Sequence, residues 1–253
     1  MKFLFSFAFI LCIMPCLAQR PLYNWNSLSL SGQLSKRWDI KAAHLRAFDI
    51  NNGFQPLFHQ TSMQVSYEPV KRLEIMAGAL TTQSSNRQTW RYYLRGTHAL
   101  RLGKTLQWSN SLQAEKHSAN ETRFDYRLIY ITRLGLRKRL DFLRLAPTVS
   151  YWLYYNIGGN PIAHYNNNGQ LIGRSTADGL HRYRVQFNLN SKINQYVAAS
   201  VYYMLQNEFN LGSNELKYMN VKNPSTGNTA RRFDNFHVAG ISLAFNLSIY
   251  NTK

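Results

Sequence analysis

Hydrophobic and polar residues alternate along most of this chain, in stretches of ten or more separated by short basic turns. A period of two is the mark of a β-strand with two unlike faces. In the first stretch, Trp25 to Leu34, Leu28, Leu30 and Leu34 face one way. Ser27, Ser29, Ser31 and Gln33 face the other. After Ser35-Lys36-Arg37 the alternation resumes from Trp38 to Phe48, where a less regular phase suggests a bulge. The same reading gives strands at Phe58 to Tyr67, Leu73 to Thr82, Trp90 to Leu102, Leu106 to His117 and Phe124 to Arg137. It continues with Leu143 to Tyr155, His181 to Leu189, Tyr196 to Glu208 and Phe236 to Tyr250. Pro147 falls inside one of them, which an unpaired position or a bulge tolerates.

Lysines punctuate the turns. Lys36, Lys71, Lys104 and Lys138 stand 35, 33 and 34 residues apart, the length of two long strands with a loop. Lys192 comes later because a polar insertion of about residues 157–179 intervenes. A second long loop, rich in Asn, Gly and Ser, covers residues 210–232. Short turns alternating with long loops, and strands long enough to cross a bilayer when tilted, describe an outer-membrane barrel. Soluble strands are typically about 5–6 residues. The 16 Tyr and 5 Trp are enough for aromatic girdles at the two interfaces. A soluble lipocalin-like barrel or sandwich would also alternate, but with its apolar face inward.

The expected fold is therefore all-β: an antiparallel up-and-down transmembrane β-barrel of ten to twelve strands. Eleven are counted. Bacterial single-chain barrels have an even number, which favours twelve, with residues 19–25 or part of 210–232 supplying the missing one.

The amino terminus reads as a cleaved secretory signal. Lys2 is followed by the apolar run Phe3 to Met14 and by Cys16-Leu17-Ala18, with cleavage expected after Ala18. Pro15 stands where a lipoprotein signal needs a small residue. Residues 1–18 are then the signal and 19–253 one barrel domain, located in a bacterial outer membrane. Cys12 and Cys16 leave with the signal, so no disulfide or thiolate metal site is expected. No run of about 18 apolar residues follows, so no transmembrane helix is expected.

Thirty Lys+Arg against 12 Asp+Glu give a net charge of +18. Such a balance raises nucleic acid as a partner. The basic residues sit at turns and alternate strand positions, without a recognisable motif, so nucleic acid is not expected. Outer-membrane lipids, lipopolysaccharide phosphates and small anionic solutes fit better, with the barrel-assembly machinery as a partner during biogenesis.

The chain resembles the DUF2490 family of Bacteroidetes-type outer-membrane barrels. The resemblance rests on Trp25-x-x-Leu28-Ser29-Leu30, Leu34-Ser35-Lys36-Arg37-Trp38, Leu45-Arg46, Arg123-Phe124-Asp125-Tyr126-Arg127 and His181-Arg182-Tyr183-Arg184. Tyr202 to Glu208 and Asn235-Phe236-His237-Val238 complete it. It implies a barrel of uncharacterised function and carries over no site residue. The last strand, with Gly240, Leu243, Phe245, Leu247 and Ile249, also looks like an assembly signal, trailed by Asn251-Thr252-Lys253.

The chemistry available lies on the polar faces. Arg91, Arg95, Arg101, Arg123, Arg127, Arg133, Arg182 and Arg184 should point inward, joined by Glu74, Glu115, Asp125 and Glu208. Arginines outnumber these acids, and unpaired buried charge is costly, so a wet and partly occluded lumen that leans toward anions is expected. The porin-like, non-enzymatic reading competes with two others. Glu115 and His117, with Ser109 or Ser111 on the same face, could serve a lipid-modifying hydrolase. The long loops could serve adhesion or assembly. No G-x-S-x-G elbow and no metal-ligand spacing among the seven histidines is found. No cofactor is expected.

Overall fold

A computed structural model describes residues 20–211, 215–230 and 234–247. The expected signal at 1–18, its cleavage point, Ile249 and the trailing Asn251-Thr252-Lys253 lie outside the described residues. Fifteen strands are present among them: β1 (Leu22–Gln33), β2 (Trp38–Asp49), β3 (Gln55–Val70), β4 (Leu73–Ser84), β5 (Arg87–Leu102), β6 (Leu106–His117), β7 (Tyr126–Leu136), β8 (Leu145–Ile157), β9 (Ile162–Tyr165), β10 (Leu171–Ser175), β11 (Gly179–Lys192), β12 (Val197–Leu211), β13 (Val221–Lys222), β14 (Thr229–Ala230) and β15 (Phe236–Leu247).

Eleven of them close a barrel in the order β1-β15-β12-β11-β8-β7-β6-β5-β4-β3-β2. That count lies within the expected ten to twelve. Residues 22–25 belong to β1, and within 210–232 the described chain forms the end of β12, a single 3-10 turn at Glu215–Lys217 and the small β13–β14 hairpin, so neither supplies a twelfth strand. With every sequential neighbour antiparallel, the first and eleventh strands run the same way, and the seam between β1 and β15 is parallel.

Parallel pairing is slightly weaker per residue, and polar side chains reinforce this seam. Ser27 and Ser242 share a hydrogen bond of 2.6 Å, Ser31 Oγ donates to Asn246 Oδ1 at 2.6 Å, and Asn24 Nδ2 donates to the Ala239 carbonyl at 3.1 Å. Tyr202 on β12 reaches across β15 to donate to the Trp25 carbonyl of β1 at 2.9 Å. It crosses directly over Gly240, its register partner. A Cβ on Gly240 would meet that carbonyl oxygen at 2.2 Å and the Tyr202 ring at 2.4 Å, so only glycine lets three strands be tied here.

The bulge expected in β2 lies instead on its neighbour: the register shift at Ala47/Phe48 leaves Leu57 of β3 as the extra residue, and β2 pairs with β1 without interruption. Pro147 lies one residue beyond the last β7–β8 pair, Gly135–Thr148, so its missing N–H costs no bond to β7.

The alternation sorts side chains inside out. Leu94, Leu112 and Ile241 are 56%, 60% and 52% exposed on the outer wall. Gln113, Glu115, Arg127, Ser150 and Gln206 are buried within. This is the opposite of a soluble barrel with an apolar filling.

Its two ends differ. The connections 34–37, 71–72, 103–105, 137–144 and 193–196 share one rim, and each of the five turn lysines lies in or beside one of them. The long connections and the start of β1 share the other. There Phe124, Ile162, Ala177 and Met219 pack into an apolar cluster joining three loops. Asn160 N donates to the Thr122 carbonyl at 3.0 Å, and Gly159 N to Asp125 Oδ2 at 2.9 Å. These contacts form a cap.

Substituting Gly240 with Ala should destabilise the folded barrel by about 1–3 kcal/mol, the range for overpacking. Gly96→Ala, whose Cβ would enter open space, is the control. Heat-modifiable migration on a semi-denaturing gel and urea midpoints in detergent report both. Equal midpoints would remove the seam from the determinants of closure.

Candidate functional site

The inward row of β6 carries Gln113 and Glu115, and that of β12 carries Gln206 and Glu208. The same Gln-x-Glu unit thus occurs twice. Cross-strand register gives each unit the same neighbours. Arg95 pairs with Gln113 and Arg127 with Glu115. Arg184 pairs with Gln206 and Arg182 with Glu208.

The side chains complete two matching relays. In the first, Arg95 Nε donates to Gln113 Oε1 at 2.6 Å, and Gln113 donates in turn to Glu115 Oε1. Arg127 closes on Glu115 Oε2 through Nε at 2.9 Å and Nη2 at 2.5 Å. In the second, Arg184 Nε donates to Gln206 Oε1 at 2.8 Å, Gln206 Nε2 to Glu208 Oε1 at 3.2 Å, and Arg182 Nε bonds the same oxygen. Each relay sets one arginine on the carboxylate and a second on the glutamine that bonds it. Arg91 adds a further positive charge 3.7 Å from Glu115.

Tyr154 on β8 stands between the relays. Arg127, Arg182 and Arg184 lie 5.2, 5.6 and 5.3 Å from its ring centroid, within cation–π range. Arg184 also lies 5.7 Å from the Trp25 ring. Together these groups surround a cavity of about 600 Å³ under the loop cap. A second cavity, about 240 Å³, is lined by Trp25, Trp152, Arg184 and Tyr202 among others. Ile129 and Ile131, in contact with Tyr154 and Trp152, fill the β7–β8 side. Toward the turn rim, Lys41, Glu74 and Arg133 interact at longer range.

Of the residues expected in the lumen, Arg91, Arg95, Glu115, Arg127, Arg182 and Arg184 line the larger cavity, and Glu208 bonds to it through Arg182 and Gln206. Three differ. Asp125 is not in the lumen: β7 begins at Tyr126, and Asp125 is an exposed loop residue holding Gly159 N. Phe124, read from the sequence as the first residue of this strand, is buried in the cap for the same reason. Arg123 reaches the cavity from the loop, its guanidinium paired with Glu121 at 2.8 and 2.7 Å. Arg101 shares the inward parity but lies next to the turn rim, exposed. Arg133 is inward and water-accessible, below the girdle. Glu121, Tyr154 and the two glutamines were not anticipated. The Gln-x-Glu repeat was the visible signal for the last pair.

Glu115 and His117 do meet, at 3.2 Å. No serine joins them from the expected positions. Ser111 is six residues away along β6, about 20 Å at strand rise, and bonds to Thr97 at 2.9 Å. Glu115 itself is occupied by Arg127 and Gln113.

No protein-family model matches this chain, and no curated protein does. Among solved structures it is similar to the NanC porin at 12% identity, over 70% of this chain and 78% of that one, with a TM-score of 0.46. It is also similar to the KdgM porin at 16% identity, over 71% and 81%, with a TM-score of 0.40.

Burial alone would raise the Glu121 carboxyl. The hydrogen bonds and charge of Arg123, with Arg87 behind it, outweigh burial and hold it at about 2 against an ordinary 4.5. A carboxyl lowered on folding stabilises the native loop fully above its ordinary value, and that stabilisation disappears as pH falls toward 2. Hydrogen exchange of residues 118–125 should therefore accelerate between roughly pH 4.5 and pH 2, and Glu121→Gln should flatten the profile. An unchanged profile in the variant would detach the pair from cap stability.

Glu115→Gln leaves Arg127 buried without its carboxylate and should cost about 3–5 kcal/mol. The double variant Glu115→Leu, Arg127→Leu should recover much of that loss. Urea midpoints decide it, and a double variant as unstable as the single one refutes the ion-pair account.

Proposed function

We propose that this chain is a bacterial outer-membrane barrel with a narrow, capped lumen that admits small anions in preference to cations. The outward belt of leucine, isoleucine, phenylalanine and tyrosine side chains suits lipid, and strands of 11 to 16 residues reach across it when tilted. By the usual asymmetry of such barrels, the short basic turns face the periplasm and the capped loops face outward. The DUF2490 resemblance belongs to this reading.

One observation carries the anion preference: the two Arg-Gln-Glu-Arg relays. Arginines Arg91, Arg95, Arg127, Arg182 and Arg184 meet Glu115 and Glu208. The remaining hydrogen bonds are taken up by neutral glutamines, which spread the carboxylate's influence without cancelling charge. A lumen with surplus guanidinium attracts anions and repels cations. The cap and the inward isoleucines narrow the path. Small steps of conductance are therefore expected.

Arg95 and Arg184 are the informative positions, because each is bonded to a neutral amide. Replacing both with Gln removes positive field without stranding a carboxylate. In planar bilayers under a potassium chloride gradient, the wild type should show a reversal potential of the anion-selective sign. The double variant should lower its chloride-to-potassium permeability ratio by about twofold or more. Bilayers that stay silent at all voltages would reduce the protein to a structural barrel. Steps with unchanged selectivity would place the relays off the ion path.

A further inference from the structure

On the outer wall near the turn rim there is a groove of about 510 Å³. Its walls include Leu134, Leu136, Val149, Phe187 and Leu189. Its floor is backbone, at Gly135 and Thr148 among others. A side chain at Gly135 would point inward against Thr148, so these inward residues show the groove only their backbone, and its depth comes from the spacing of the outward side chains around it.

The groove runs directly into basic connections. Lys138 follows Leu136 by two residues, Lys104 precedes the groove residue Leu106 by two, and Lys192 follows Leu189 by three. Arg144 immediately precedes β8. Arg137 and Arg139 are engaged with backbone carbonyls of this rim, Gly103 at 3.2 Å and Arg144 at 3.0 Å. That holds the connections together and leaves Lys104, Lys138 and Arg144 exposed. Asp141 is the single acid in the 137–144 connection. Leu140 and Leu143 are exposed beside it, 48% and 64%. Leu143 and Arg144 take positive φ, 49° and 50°, and Ser191 Oγ donates to the Leu143 carbonyl at 2.7 Å. Positive φ is uncommon away from glycine.

Cations at headgroup height above an acyl-sized apolar groove match one chemistry. We propose that this face binds an anionic glycerophospholipid, its phosphate at Lys104, Lys138 and Arg144 and an acyl chain along the groove. The proposal rests on the membrane reading above but is independent of the lumen. Each basic residue near an anionic surface contributes attraction, and the groove adds burial that a free phosphate could not use.

The test is native mass spectrometry of the full barrel released from detergent with equal amounts of phosphatidylglycerol and phosphatidylcholine of the same chain length. The wild type should retain phosphatidylglycerol preferentially. The triple variant Lys104→Gln, Lys138→Gln, Arg144→Gln should reduce that retention by about fivefold or more while keeping heat-modifiable migration. Val149→Trp, which fills the groove and leaves the charges, should reduce retention of both lipids. Equal retention of the two lipids by the wild type, or phosphatidylglycerol retention untouched by the triple variant, overturns the proposal. So does a lipid-free dimer, which would assign the groove to a second copy. A mature chain that stays in solution without detergent would instead refute the membrane reading itself.

Discussion

A closed sheet leaves its side chains two places to go, and within its regular strands a period of two assigns them. That constraint governs this molecule. Once Leu94 and Leu112 are outside, their neighbours Arg95 and Gln113, of opposite parity, are turned inward. The barrel then contains guanidinium groups that would be very costly to bury dry. Every later feature answers that cost. Each carboxylate takes one arginine directly, a glutamine bonded to it holds a second, and aromatic faces accept the cations. The interior is a polar network.

Closure imposes a second constraint. Eleven strands joined in antiparallel succession bring two parallel edges together, and the edge bonds are less favourable there. Ser27, Ser31, Asn24 and Tyr202 add side-chain hydrogen bonds at that seam. Gly240 is best understood as the vacancy that allows Tyr202 to cross. An even count would have made this tie unnecessary.

Strand positions were legible because alternation is dense and the turns are basic. β2, β4, β6 and β15 match their expected starts, and the other ends differ by about three residues or fewer. The failures have a common cause. Arg123-Phe124-Asp125 continues the alternation of β7 in phase, yet the chain has already turned into the loop, where parity no longer reports facing. The run Leu128-Ile129-Tyr130-Ile131 is apolar on both parities, so nothing in it showed that isoleucines narrow the lumen. The even-strand rule favoured twelve because it concerns where termini are delivered. Sheet closure itself does not need it. The relays were written in the chain as Gln113-x-Glu115 and Gln206-x-Glu208, but their meaning depends on which arginine lies opposite, and register is a property of the folded sheet.

Positive charge concentrates in two places in this barrel, the relays and the turn rim, with Lys41 and Arg133 between them. The relays sit under the loop cap, and the lysines ring the opposite rim. At physiological salt the Debye length is about 8 Å, shorter than the several strand residues that separate Gln113 from the β5–β6 turn. The rim can therefore be neutralised by lipid phosphates without altering the field inside. Buried arginines are screened far less, so the proposed anion preference would rest with the relays even if the rim were covered. The overall positive charge of the chain is thus compatible with both proposals at once, an anionic lipid at the rim and a positive girdle in the lumen.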